Sequence, residues 1–276
     1  MTTRTEYAHG EFCWVDLATT DPAAGKRFYG SLFGWQAEDM PAGPGMTYTM
    51  CKLKNQYVSA LYALDKQRQS QGEPSHWLPY INVRNADDIA KKVSQGGGKV
   101  LMNGPFDVLD VGRMAPIQDP TGAYFAIWEA KRHKGAGIIN ETGAMCWNEL
   151  MTPNVEVAGR FYRTAFDWTG EPVDMGPAGT YTIFKAGSTQ VGGMMARPPQ
   201  LKDVPPHWLT YFAVDDCDSA AKKVGELGGQ VVRPPDDIPN IGRFAVCRDP
   251  QGATFAYLSP CPRTRKRRSE EGSGVG

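Results

Sequence analysis

Two carboxylates in this chain stand where a β-strand would turn them away from water: Asp16 in "FCWVDLATTD" and Glu149 in "MCWNELMTPN". Each follows a tryptophan by two residues, Trp14 and Trp147, so strand alternation puts acid and indole on one face. A carboxylate held among apolar side chains resists ionisation and can shuttle protons near neutral pH. His76 and His207, which open the runs "HWLPYINV" and "HWLTYFAV", are the further acid–base candidates. Two plainer readings stand beside these. Asp16 and Glu149 can pair with Arg113 and Arg243 of "GRMA" and "GRFA" as structural ions, and the histidines can hydrogen-bond a nearby loop.

The elements that would position these groups occur twice. "CWVDLATTDPAAGKRFYGSLFGW" matches "CWNELMTPNVEVAGRFYRTAFDW", the two His-Trp-Leu segments match, and "DPTGAYFAIW" matches "DPQGATFAYL", offset by 133, 131 and 130 residues in turn. Each copy divides again into two similar halves. The first half of copy one reads strand 12–18, helix 22–33, then strands near 46–52 and 57–63, with Asp21-Pro22 as the helix start. The second half reads strand 78–84, helix 86–95 starting near Asp87, then strands near 99–102, 112–118 and 123–129. The glycines Gly96, Gly97 and Gly98 follow that helix, so they end it; they do not open a phosphate loop. The chain is therefore an α+β protein of four βαβββ units, paired into domains at 8–131 and 141–262 across a Lys/Arg/His/Gly linker at 131–140.

Composition narrows the function classes. Lys+Arg 30 balances Asp+Glu 30, which excludes a strongly basic nucleic-acid or anionic-membrane surface. The exception is the tail at 263–276, where Arg263, Arg265, Lys266, Arg267 and Arg268 precede two glutamates and a Gly/Ser end; it reads as a solvated, disordered segment, with a short nucleic-acid or localisation tract as the lesser alternative. "MTTRTEYAHG" has no apolar core of a signal peptide, and no apolar run nears the ~20 residues of a membrane helix. The six cysteines include no C-x-x-C pair, so they read as reduced packing thiols of a cytoplasmic protein.

Paired βαβββ units with "FYGSLFGW" after the first strand and "DPTG" before the last resemble the vicinal oxygen chelate superfamily, the glyoxalases, extradiol dioxygenases and bleomycin-resistance proteins. The resemblance covers nearly all of residues 8–260 and implies two curved mixed sheets. Tandem members with this first strand look like a subgroup labelled glyoxalase-like or, by name only, hydroxylase. In metal-using members, the ligand places correspond here to Trp14, Leu78 and Ala126, and to Trp147, Leu209 and Ala256. None of these side chains coordinates a divalent cation, so the resemblance carries no metal and no other cofactor onto this chain.

With that register, Trp14, Asp16, Tyr80, Asn82, Tyr124 and Trp128 face inward in the first copy, and Trp147, Glu149 and Tyr211 in the second. Aromatic walls with one acid suit a bulky, oxygenated aromatic or polyketide-like small molecule. Three functions follow in order: metal-independent acid–base chemistry of the isomerase, cyclase or lyase kind; sequestration without catalysis, as in drug-resistance binders; and a metal-dependent glyoxalase, dioxygenase or hydroxylase. The expected partners are a small molecule but neither nucleic acid nor membrane. The fused copies suit a monomer that imitates a dimer, or a homodimer.

Overall fold

The computed structural model describes residues 3–176 and 179–260. The basic tail expected at 263–276 lies outside the described residues.

The first repeat begins with β1 (Phe12–Thr19), α1 (Pro22–Phe33), β2 (Gln36–Gly43), β3 (Met46–Leu53) and β4 (Gln56–Ala63). After the short α2 (Lys66–Ser70) come β5 (His76–Asn82), α3 (Ala86–Gln95), β6 (Lys99–Val100), β7 (Phe106–Val108), β8 (Gly112–Gln118) and β9 (Tyr124–Ala130). The second repeat runs β10 (Met145–Thr152), α4 (Val155–Phe166), β11 (Thr169–Asp174), β12 (Thr180–Ala186) and β13 (Thr189–Ala196). It closes with β14 (His207–Ala213), α5 (Cys217–Glu226), β15 (Gln230–Ile238), β16 (Gly242–Arg248) and β17 (Thr254–Pro260).

The strand order is β2-β3-β4-β1-β5-β9-β8-β6, with β7 added on β8, and then β11-β12-β13-β10-β14-β17-β16-β15. Both sheets are mixed and open: β5 with β9, β10 with β13 and β14 with β17 run parallel, while the hairpins run antiparallel. This is the expected α+β architecture of tandem βαβββ units. The sequence reading does not include α2, β2 or β7, and it sets β5 two residues late. Strand β2 is polar, carries Pro41 and lies at a sheet edge, so it shows no hydrophobic alternation to detect. Strand β5 begins at His76 and ends at Asn82, two residues earlier than expected at each end.

Local chemistry sets the helix ends. The Asp21 carboxylate accepts from the Ala24 amide, Pro22 opens α1, and Gly34 ends it at φ 76°. Asn85, and not Asp87, caps α3 through the Asp88 amide. Asn154 caps α4, which ends at Asp167 with φ 58°.

The chain divides into two compact units, Met1–Asp16, Leu78–Gly137 and Trp147–Thr210 in one, Leu17–Trp77, Ile138–Cys146 and Tyr211–Gly276 in the other. Each unit thus combines half of one repeat with half of the other. The same buried chain recurs in both. In the first unit the Trp208 indole donates to the Tyr162 hydroxyl (2.8 Å), which donates to Asp119 (3.0 Å); in the second, Trp77 donates to Tyr29 (3.1 Å) and Tyr29 to Asp249 (3.0 Å). The free oxygen of each aspartate gathers the amides of its own Asp-Pro turn, including Ala123 in one and Ala253 in the other. Burial foremost, and then the neighbouring carboxylate, hold both tyrosines protonated.

Candidate functional site

Strand β1 is buried along its whole length, and Asp16 and Trp14 are only 1% and 3% exposed. The Tyr80 hydroxyl, from β5, donates to Asp16 Oδ2 at 2.7 Å. Trp128 of β9 stands edge-on to Tyr80, with ring centres 6.4 Å apart. It lies over Gly112, where an added Cβ would come within 2.1 Å of the indole; glycine is what lets the ring down onto the sheet. The Trp128 indole donates to the His133 carbonyl at 2.9 Å, and the His133 ring meets Trp14 edge-to-face at 4.6 Å. His133 comes from the linker and was not among the residues the sequence singled out; its mixed Lys/Gly surroundings hide an aromatic lid over the two tryptophans. Burial lowers its pKa to about 4, so at neutral pH it is an uncharged ring. The acid–phenol pair of the first repeat is sealed.

The second repeat arranges the same parts differently. Trp147 and Glu149 of β10 are half-buried. The Trp147 indole donates to the Tyr181 hydroxyl at 2.9 Å, and Tyr181 is in turn hydrogen-bonded to Glu149. An indole N–H only donates and an ionised carboxylate only accepts, so the phenol oxygen accepts a hydrogen bond from Trp147 and its O–H donates to Glu149. Burial first, and the Glu149 charge second, push the Tyr181 pKa far above its usual value. Space for this ring comes from Gly193, paired with Glu149 in the β10–β13 register; a Cβ there would lie 1.9 Å from the Tyr181 oxygen. The matching residue of the first repeat is Ala60, and there Tyr48 stacks on Tyr62 instead. Tyr181 was also missed by the sequence reading, although the pairing of Gly193 against Ala60 in the repeat alignment was the available signal.

The other expected site residues scatter. His76 and His207 each hold Nδ1 against a carbonyl two residues earlier, Pro74 (2.9 Å) and Pro205 (2.8 Å). Asn82 donates to the Tyr7 and Ala8 carbonyls and so ties down the N-terminal segment. Tyr124 is 51% exposed at the start of β9. Tyr211 is buried and stacks at a tilt against Phe244, over which the Arg233 guanidinium lies at 4.7 Å. Arg113 is engaged by Asp87 and Asp107, and Arg243 by Asp218 and Asp237, so neither supplies the ion pair considered for Asp16 or Glu149. The buried thiols of Cys51, Cys217 and Cys247 are pushed up to about 12, about 12 and about 11, mainly by desolvation, which keeps them from acting as nucleophiles.

A metal ion does not fit the places where the fold would hold one. Trp14, Leu78 and Ala126 are buried hydrocarbon or indole, and Leu209 and Ala256 repeat this in the second copy beside Trp147. Among the described residues no three His, Cys, Asp or Glu side chains gather into a metal-binding group.

The chain resembles known proteins along nearly its whole length. It is 45% identical to "Putative glyoxylase CFP32" of Mycobacterium bovis, over 95% of this chain and 99% of that one. It is 35% identical to the anthracycline biosynthesis protein DnrV of Streptomyces peucetius, over 92% and 94%. Among solved structures, the Mn(II)-bound glyoxalase from Novosphingobium aromaticivorans superposes with a TM-score of 0.63 at 16% identity, covering 91% of this chain and 82% of that one. The 2,3-dioxygenase LapB from Pseudomonas sp. KL28 also reaches 0.63, at 13% identity and 93% and 96% coverage. These two show the fold alone. The family model of the Glyoxalase/Bleomycin resistance protein/Dioxygenase superfamily matches residues 12–127 and 132–257, one match per repeat, and the chain belongs to that superfamily.

Proposed function

We propose that the protein acts without a metal on a bulky, oxygenated aromatic or polyketide-like small molecule, using Glu149 as proton acceptor and Tyr181 as its partner. The observation that carries this reading is the half-buried Trp147–Tyr181–Glu149 chain, set against its sealed counterpart around Asp16 in the first repeat. Tyr181 donates to the carboxylate, stabilises its charge and keeps one oxygen directed; Glu149 then removes a proton from carbon or oxygen of the ligand and returns it elsewhere, which isomerises, cyclises or dehydrates it. The relative named for anthracycline biosynthesis supports the substrate class. His76 and His207, tied to loop carbonyls, are left with positioning and no proton transfer. Asp16 and Tyr80 are assigned to the interior of the first repeat, with Trp14 and Trp128 packed around them.

The competing reading is sequestration, favoured by one observation: in the first repeat an acid–tyrosine pair is already used in a buried, structural setting. Native mass spectrometry of the purified full chain, reading metal content and co-purified small molecules together, begins the test. The recovered molecule is then incubated with wild type and Glu149→Gln. Turnover lowered roughly 10²–10⁴-fold in the variant, with affinity changed far less, is the expected result. Binding without any conversion by wild type would establish sequestration and sink the enzymatic reading.

A further inference from the structure

The helix side of the second repeat holds a cavity of about 370 Å³ between α4 and strands β11 to β13. Trp168, Phe184 and Met194, all buried, form its apolar floor. Arg160 and Arg163 stand on its rim, exposed, and neither enters an ion pair among the described residues. Glu156, one turn before Arg160, is the one acid on the rim, so the rim carries a net positive charge.

The first repeat shows what this place accommodates. There Lys26 on α1 reaches across to Asp39 on β2 (3.0 Å), and the Thr49 hydroxyl on β3 donates to the same carboxylate at 2.6 Å. Asp39 faces Thr49 across the strands just as Pro172 faces Thr182 in the second repeat. So the second repeat keeps the hydroxyl as Thr182 but has Pro172 for the aspartate. At the lysine position it has Gly159, where an added Cβ would touch only the Met194 methyl, at 3.8 Å. The internal strut is deleted and its hydroxyl is retained. The missing partner is a carboxylate, and the cations to replace Lys26 are already at the rim.

We propose that this cavity is a second small-molecule site, distinct from the Trp147–Tyr181–Glu149 chain, which binds a monocarboxylate with an aromatic or aliphatic body. The carboxylate takes the place that Asp39 fills in the first repeat, accepting from Thr182 and from Arg160 or Arg163, while the apolar body lies on Trp168, Phe184 and Met194. The volume falls within the range of about 300–1,000 Å³ usual for small-molecule pockets.

The test uses the full chain, ¹⁵N-labelled, titrated with phenylacetate and, separately, with uncharged phenylacetamide. The expected result is saturable movement of the Gly159, Gly170 and Thr182 amides with phenylacetate at a dissociation constant of about 1 mM or tighter. Phenylacetamide should bind at least about tenfold more weakly, because it lacks the charge-assisted bonds. The double change Gly159→Lys with Pro172→Asp rebuilds the strut and should abolish binding. Thr182→Val, which hardly alters shape, should weaken it about tenfold should the double variant fail to fold. Glu149→Gln should leave binding unchanged, so the outcome is independent of the function proposed above. Absence of saturation, equal binding of acid and amide, or movement centred on Trp147 and Glu149 would each overturn the proposal.

Discussion

Replacing Gly193 by alanine adds one methyl group at the point where the Tyr181 oxygen lies 1.9 Å from the new atom and the ring carbons 2.3 and 2.5 Å. Ordinary contact needs about 3.5 Å or more, so the ring has to leave. Its departure breaks the 2.9 Å bond from Trp147 and the bond to Glu149. Overpacking of this kind costs about 1–3 kcal/mol, and a neutral and a charge-assisted hydrogen bond lost together are worth roughly 2–4 kcal/mol. Two effects act the other way: Trp147 and Glu149 are half-buried, so water replaces part of what is lost, and alanine in a strand gains about 0.5–1 kcal/mol over glycine. The expected net loss of stability is about 2 kcal/mol, read by urea denaturation. The decisive assay is a double-mutant cycle. In a Tyr181→Ala background the obstacle is gone, so the same substitution should cost less than about 0.5 kcal/mol. An equal cost in both backgrounds would refute the reasoning that Gly193 exists to admit Tyr181.

Asp16→Asn should lower stability by about 1–3 kcal/mol in urea unfolding, since its partner Tyr80 is buried, while leaving turnover of the co-purified molecule nearly unchanged. Tyr162→Phe should cost a similar amount, about 1–3 kcal/mol, because it strands both Asp119 and the Trp208 indole; Tyr29→Phe should reproduce it through Asp249 and Trp77. Acid should act partly through His133. Its folded pKa of about 4 lies below the ordinary histidine value, so its contribution is present above about pH 6.5 and is lost as pH falls toward 4. Melting temperature should therefore fall through that window, less steeply in His133→Phe; His9 and His207, lowered in the same direction, add to the fall. Elemental analysis should find no stoichiometric Zn, Fe, Ni or Mn whose removal abolishes ligand conversion.

Much of the architecture was legible because it rests on local chemistry that repeats. The Asx-capped helix start (Asp21, Asn154), the Asp-Pro-x-Gly turn and the Trp-x-acid strand (β1, β10) each occur twice, and one copy checks the other. Strand β2 was not legible: an exposed edge strand of polar residues has no buried face to impose a pattern. The carboxylates and their tryptophans were placed on one face by alternation alone, but their partners were not. Tyr80 shares the inward parity of β5 and was identified, whereas Tyr181 depends on a glycine in the neighbouring strand. His133 depends on the path of a linker, which no periodicity describes. The pairing of Tyr162 with Asp119 joins residues 43 positions apart, in different repeats, and nothing local announces it.

The interleaving of the repeats has a consequence for how the chain is made. Each compact unit needs segments far apart in sequence; one is incomplete until Thr210 has been synthesised, and the other until residues beyond Tyr211 have followed. A ribosome making this protein therefore releases no finished half until Thr210 has been added. The first repeat emerges whole, yet the aromatic ring that belongs on Asp119 is still uncoded chain. Its apolar surfaces wait in the open for the time needed to add dozens of residues, at about 5–20 residues per second. Folding here depends on long-range closure, which neither unit can make before its last segment has been synthesised.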